Sequence, residues 1–91
     1  MQEVHAQVQI RNMRGLHARA SAQLVKCAQE FEAEILVEKD GLQVSALSIM
    51  GLMMLAAGPG CFVSIHARGH DAGEAVEKVC ALIDDFFGEG A

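Results

Sequence analysis

The chain predicts an open-faced α/β sandwich: β-α-β-β-α-β-α in order, with a four-stranded antiparallel sheet carrying three helices on one face. Three observations lead there. Apolar residues alternate with polar ones at period two in separate stretches, an Asp-Gly pair joins two of them, and the segments between carry apolar stripes at helical spacing. At 91 residues, 52% hydrophobic and 21% charged, the chain has the length and composition of one packed domain spanning residues 1–91.

Val4, Ala6, Val8 and Ile10 alternate with Glu3, His5, Gln7 and Gln9, the pattern of a strand with one buried face. Arg11 to Gly15 has no periodicity and reads as a loop into a helix from about Ala18 to Glu30, whose Leu24, Val25, Ala28 and Phe31 fall on one side. Ala33, Ile35 and Val37 mark a second strand, and Asp40-Gly41 turns it into a third at Leu42–Ser45. After Ser48 a short apolar helix runs to about Ala57, stopped by Gly58-Pro59-Gly60. Leu52, Leu55 and Ala56 can face the core there, leaving Ile49, Met50, Met53 and Met54 toward solvent. Val63, Ile65 and Ala67 form the last strand. Asp71 with Glu74 opens a final helix striped by Ala72, Ala75, Val76, Val79, Ile83 and Phe86, and Gly88–Ala91 reads as a frayed tail.

Twelve acidic against seven basic residues give a net charge of −5, with no basic stripe or aromatic platform, which speaks against nucleic acid as a partner. The N-terminal residues lack the charged-then-apolar pattern of a signal peptide, and the longest apolar run, Ile49 to Ala57, is about half of the roughly 18 residues that span a bilayer. A cytoplasmic location follows. Cys27, Cys61 and Cys80 are odd in number and set in apolar stretches, as buried, reduced thiols would be. They show no Cys-x-x-Cys spacing, and His5, His66 and His70 fall at surface positions, so neither a metal site nor a cofactor is expected.

The chemistry concentrates in Gly15-Leu16-His17-Ala18-Arg19-Ala20-Ser21-Ala22. His17 stands where a helix usually places Ser, Thr, Asp or Asn, so the amides of the first turn lack a side-chain acceptor and, with the helix dipole, suit an anion. Neutral imidazole is a nucleophile near pH 7 and, once phosphorylated, a good leaving group. Arg19 can steady the transferring phosphoryl group with its planar donor fork, since in-line transfer needs mainly positioning and charge stabilisation.

This eight-residue stretch resembles the active-site signature of the HPr family, Gly-(aliphatic)-His-(small)-Arg-(Pro or Ala)-(small)-(small), and the order of elements is similar over nearly the whole chain. The resemblance implies a phosphocarrier that accepts a phosphoryl group on Nδ1 of His17 from Enzyme I, itself charged by phosphoenolpyruvate, and passes it to an enzyme IIA protein or domain, with Arg19 stabilising charge. Such a protein is a transfer intermediate rather than a free-standing enzyme. Where many members have proline after the arginine, this chain has Ala20, which restores an amide near the phosphoryl group. Ser48 to Leu55 is similar to the family's segment around a regulatory serine, although Leu47 stands where lysine often precedes it. Ser48 also suits a helix N-cap. A phosphate on it would add negative charge beside the partner surface, and the resemblance implies HPr kinase/phosphorylase as its writer. The same resemblance assigns partner docking to Ile49, Met50 and Met53, whose adaptable thioethers suit differently shaped partners. A transient carrier is expected to be monomeric. A regulatory module of the same fold acting only through Ser48 is the competing reading, and His17 together with Arg19 favours the carrier. Sugar transport and a nitrogen-related relay both stay open.

Overall fold

The computed structural model describes residues 2–88, and the elements follow the expected order: β1 (Gln2–Gln9), α1 (Ala18–Ala28), β2 (Glu34–Lys39), β3 (Leu42–Ser45), α2 (Ile49–Met54), β4 (Phe62–Gly69) and α3 (Ala72–Asp84). A single 3₁₀ turn, Phe86–Gly88, ends the described chain. The four strands form one antiparallel sheet in the order β1-β4-β2-β3. Val8, Ile35, Val37, Val63, Ile65 and Ala67 turn into the core against the helices, which contribute Leu24, Leu52, Val79 and Ile83. The alternate positions, among them His5, Glu34, Ser64 and Arg68, lie on the sheet's open face, so one face is apolar and the other wet.

The β2–β3 hairpin closes as its Asp-Gly pair predicts. Asp40 and Gly41 both have positive φ, 52° and 83°, the pairing that matches hairpin twist, and Lys39 pairs with Leu42.

Three helix ends and one cap differ from the sequence reading. Helix α1 ends at Ala28, two residues early, because its last turn tightens: the Glu30 amide bonds the Cys27 carbonyl and the Phe31 amide bonds that of Ala28. Helix α2 ends at Met54 for the same reason, and Ala56, at φ 52°, turns the chain over. Ala56 is therefore exposed and Ala57 takes the buried position expected of it. At the end of α3, positive φ at Phe86 and Phe87 (58° and 54°) rotates the stripe by one residue, so that Phe87 is buried and Phe86 only half-buried. Asp71 does occupy the N-cap position of α3, yet its carboxylate does not cap. It accepts the amides of Glu32 (3.0 Å) and Ala33 (2.8 Å), tying the α1–β2 connection to the start of α3. These bonds, that of Glu32 first, hold its carboxyl below the usual carboxylate value.

Of the three thiols only Cys27 is buried, whereas Cys61 and Cys80 are half-buried at the margin of the core. The expected frayed tail, apart from Gly88, lies outside the described residues. Among those residues no helix is long and apolar enough to cross a membrane.

Candidate functional site

The loop before α1 is built on two residues without periodic signal. Asn12 is fully buried, and its Nδ2 donates to the Gly15 carbonyl at 2.9 Å while the Gly15 amide returns to the Asn12 carbonyl at 3.2 Å. Gly15 has φ +61°, and a Cβ there would run into the Ala57 carbonyl oxygen and come within 2.8 Å of Gly58 Cα. Only glycine allows that approach, which the next residue uses: the Leu16 amide donates to the Ala57 carbonyl at 2.9 Å. The loop is thus held against the exit of α2.

Leu16 and Ala20 anchor the residues around His17 in the core, and buried Ser21 donates its hydroxyl to the Leu16 carbonyl at 3.2 Å. His17 is the N-cap, extended at φ −75° and ψ −179°, and its carbonyl accepts the Ser21 amide at 2.9 Å. Among the described residues no side chain caps the helix, as the sequence predicts, which leaves the first-turn amides of Ala18, Arg19 and Ala20 for an external acceptor. The half-buried imidazole places Nδ1 3.1 Å from the Gly15 carbonyl. A carbonyl only accepts, so in this arrangement the ring proton is on Nδ1. Arg19 is exposed one turn-third away from Ala18, and its guanidinium forms no ion pair with a described residue.

Ser48 caps α2 as expected: its Oγ accepts the Gly51 amide at 3.0 Å. It is half-buried, and Ile49, Met50 and Met53 behind it are 40%, 77% and 44% exposed. Helix α2 packs against α1, and its exit touches the His17 loop through Ala57, so the structure brings the two sequence-predicted segments onto adjoining ground.

Three features escaped the sequence reading. Asn12 positions the carbonyl that meets His17. Met13 and Leu47, 76% and 59% exposed, enlarge the apolar surface. No Asp or Glu occurs between Glu3 and Glu30 or between Asp40 and Asp71, while Arg11, Arg14, Arg19 and Lys26 all do, so a chain of net charge −5 keeps its α1–α2 segments free of acid. Acid-free intervals in the sequence were the available signal for the last.

Elsewhere, His66 is half-buried, with Nε2 3.0 Å from Glu38 Oε1 and its ring 5.8 Å from that of His5, while His70 is exposed. Among the described residues no group of three or more His, Cys, Asp or Glu is arranged to hold a metal ion.

An imidazole at an uncapped helix start, on a half-open sandwich with a guanidinium two residues on, belongs to the class of small domains that can seat an anion against a nucleophile. Comparison with known proteins narrows that class. Residues 4–85 match the family described as the PTS HPr component phosphorylation site. The phosphocarrier protein HPr of Cupriavidus necator is 49% identical over 79 residues, covering 87% of this chain and 89% of the relative. The phosphocarrier protein NPr of Shewanella violacea is 41% identical over 91 residues, covering 100% of both. A crystal structure of HPr-C-His from Thermoanaerobacter tengcongensis superposes with a TM-score of 0.88 at 44% identity, covering 98% of each chain. The chain belongs to the HPr family, the phosphocarrier component of the phosphotransferase system.

Proposed function

We propose that this protein carries a phosphoryl group on Nδ1 of His17, taking it from Enzyme I and handing it to an enzyme IIA acceptor. The observation that carries the reading is the uncapped start of α1, which puts the first-turn amides of Ala18, Arg19 and Ala20 directly after His17, with the exposed Arg19 side chain two residues on. To attack, the ring turns Nδ1 away from the Gly15 carbonyl and carries its proton on Nε2 instead. The Nδ1 lone pair then forms the bond to phosphorus as the bond to the donor breaks, and the reverse step delivers the group to the acceptor. Ala20 keeps an amide at the third helical position that a proline would lack, adding one donor to the anion site.

The docking surface in this reading is Ile49, Met50 and Met53 with Met13 and Leu47, and together with exposed Arg14 and Arg19 of the adjoining His17 segment it suits a partner with an apolar groove and an acidic rim. The protein works as a monomeric single domain in the cytoplasm. Phosphorylation of Ser48 by HPr kinase/phosphorylase is a second, compatible control: the Oγ that accepts the Gly51 amide stands beside this surface, so a phosphate there keeps the helix capped while adding charge that opposes an acidic rim.

The test is a chase: protein charged by Enzyme I and phosphoenolpyruvate, then mixed with enzyme IIA. Transfer of the label to enzyme IIA, with ¹⁵N–³¹P coupling at Nδ1 before the chase, is the expected result. Label on Nε2, or label that never leaves, overturns the assignment.

A further inference from the structure

Methionine is usually a core residue, yet Met13, Met50, Met53 and Met54 are 76%, 77%, 44% and 69% exposed. Those four are every methionine among the described residues. Three lie at i, i+3 and i+4 of α2 and so share one side of that helix, opposite buried Leu52 and Leu55. The fourth sits in the His17 loop that packs against the exit of α2. Met13, Met50 and Met53 belong to the surface assigned above to docking, and Met54 shares the helix side of Met50 and Met53.

Two of the three thiols are less available. Burial, as the leading cause, pushes both Cys27 and Cys80 upward from the ordinary thiol value, with Glu30 beside the first and Asp84 beside the second adding to it. Both are kept in the less nucleophilic thiol form. Thioether sulfur needs no deprotonation to react, so exposure alone sets its availability.

We propose that Met13, Met50, Met53 and Met54 form a peroxide-sensitive modification site whose reversible conversion to sulfoxides weakens partner docking while leaving the chemistry of His17 intact. The proposal rests on the docking reading above. In each event the sulfur lone pair attacks one oxygen of hydrogen peroxide and the O–O bond breaks. Sulfur gives up two electrons, and the departing hydroxide takes the proton from the transferred oxygen and leaves as water. The product is a sulfoxide, polar and hydrogen-bonding where the surface was apolar, so a partner must desolvate it on docking. Burying even one unmatched polar group of this kind corresponds to roughly a tenfold rise in KM.

The experiment uses the full chain with its thiols, half-buried Cys61 included, first capped by iodoacetamide. Wild type, a Met13→Leu/Met50→Leu/Met53→Leu/Met54→Leu variant and a Met50→Gln/Met53→Gln/Met54→Gln variant are each compared with themselves before and after hydrogen peroxide. Peptide mapping locates added oxygen, thermal melting checks the fold, and Enzyme I kinetics separate KM from kcat. The expected result is oxygen on these four sulfurs, an unchanged melt, KM raised about tenfold with kcat constant, and recovery with methionine sulfoxide reductase. The leucine variant should show no peroxide-induced change. Oxidised wild type with unchanged KM, or failure of these sulfurs to oxidise under conditions that oxidise free methionine, overturns the proposal. The glutamine variant tells the two failures apart: raised KM there keeps the docking surface and rejects only the oxidation site, whereas normal KM rejects both.

Discussion

Replacing Gly15 by alanine should damage the molecule more than any comparable glycine substitution. The residue sits at φ +61°, where an L side chain costs about 1–2 kcal/mol. The new Cβ also meets the Ala57 carbonyl and Gly58 Cα, both backbone atoms that cannot swing away, so the loop must lift. Lifting it breaks the bond from the Leu16 amide to the Ala57 carbonyl, and leaving those groups unmatched costs about 1–3 kcal/mol more. The sum, about 2–5 kcal/mol, corresponds to a fall in Tm of at least about 8 °C for a domain of this size. Gly60 supplies the control: φ is +89°, but nothing lies within 4 Å of its would-be Cβ, so Gly60→Ala should lose only the conformational part. Because His17 lies two residues past Gly15, phosphorylation by Enzyme I should also slow, by about a hundredfold for a displacement near 1 Å. Calorimetry and a phosphorylation time course on the two variants read both effects. Equal melting points and equal rates for Gly15→Ala and Gly60→Ala would refute the close-approach reasoning.

Other consequences are measurable on the same protein. Asn12→Ala removes a buried donor to the Gly15 carbonyl and should cost about 1–3 kcal/mol in urea denaturation while slowing phosphorylation, whereas a merely structural loss would leave the rate of the folded fraction unchanged. Ser48→Ala should cost about 1 kcal/mol through loss of the α2 cap, while Ser48→Asp keeps the cap and should raise KM for Enzyme I; equal KM for the two variants would remove the charge effect. Asp71 titrates below its unfolded value, so its stabilising contribution is present above about pH 3.9 and is lost as pH falls through the lowered folded value. The Tm gap between wild type and Asp71→Ala should therefore close in acid, and a gap that stays constant down to pH 2 would rule the linkage out.

Sheet and helix existence was legible because it rests on local period. Val4–Ile10 and Val63–Ala67 alternate at period two, and Asp40-Gly41 can satisfy two positive φ angles with neighbouring residues alone. The errors fall where helices unwind. At Ala56–Ala57 and Phe86–Phe87 the final turn tightens or goes left-handed, which rotates the buried face by one residue without changing composition. His17 was legible as an uncapped helix start because capping is a local rule. Asn12 was not, since its importance comes from Gly15 pressing on Ala57, a contact between segments far apart in the chain. The role of Asp71 was missed likewise: a local cap motif was present, but the amides of Glu32 and Ala33, brought near by the fold, take its carboxylate.

The central claim is that His17 is the atom-bearing residue of the transfer, and one comparison tests it most directly. Wild type and His17→Ala are incubated with Enzyme I and phosphoenolpyruvate, and intact mass is recorded before and after mild acid. The account predicts one acid-labile phosphoryl group on wild type and none on His17→Ala. A phosphoryl group on both proteins, or an unmodified wild type with an Enzyme I that charges its own HPr partner, would contradict it.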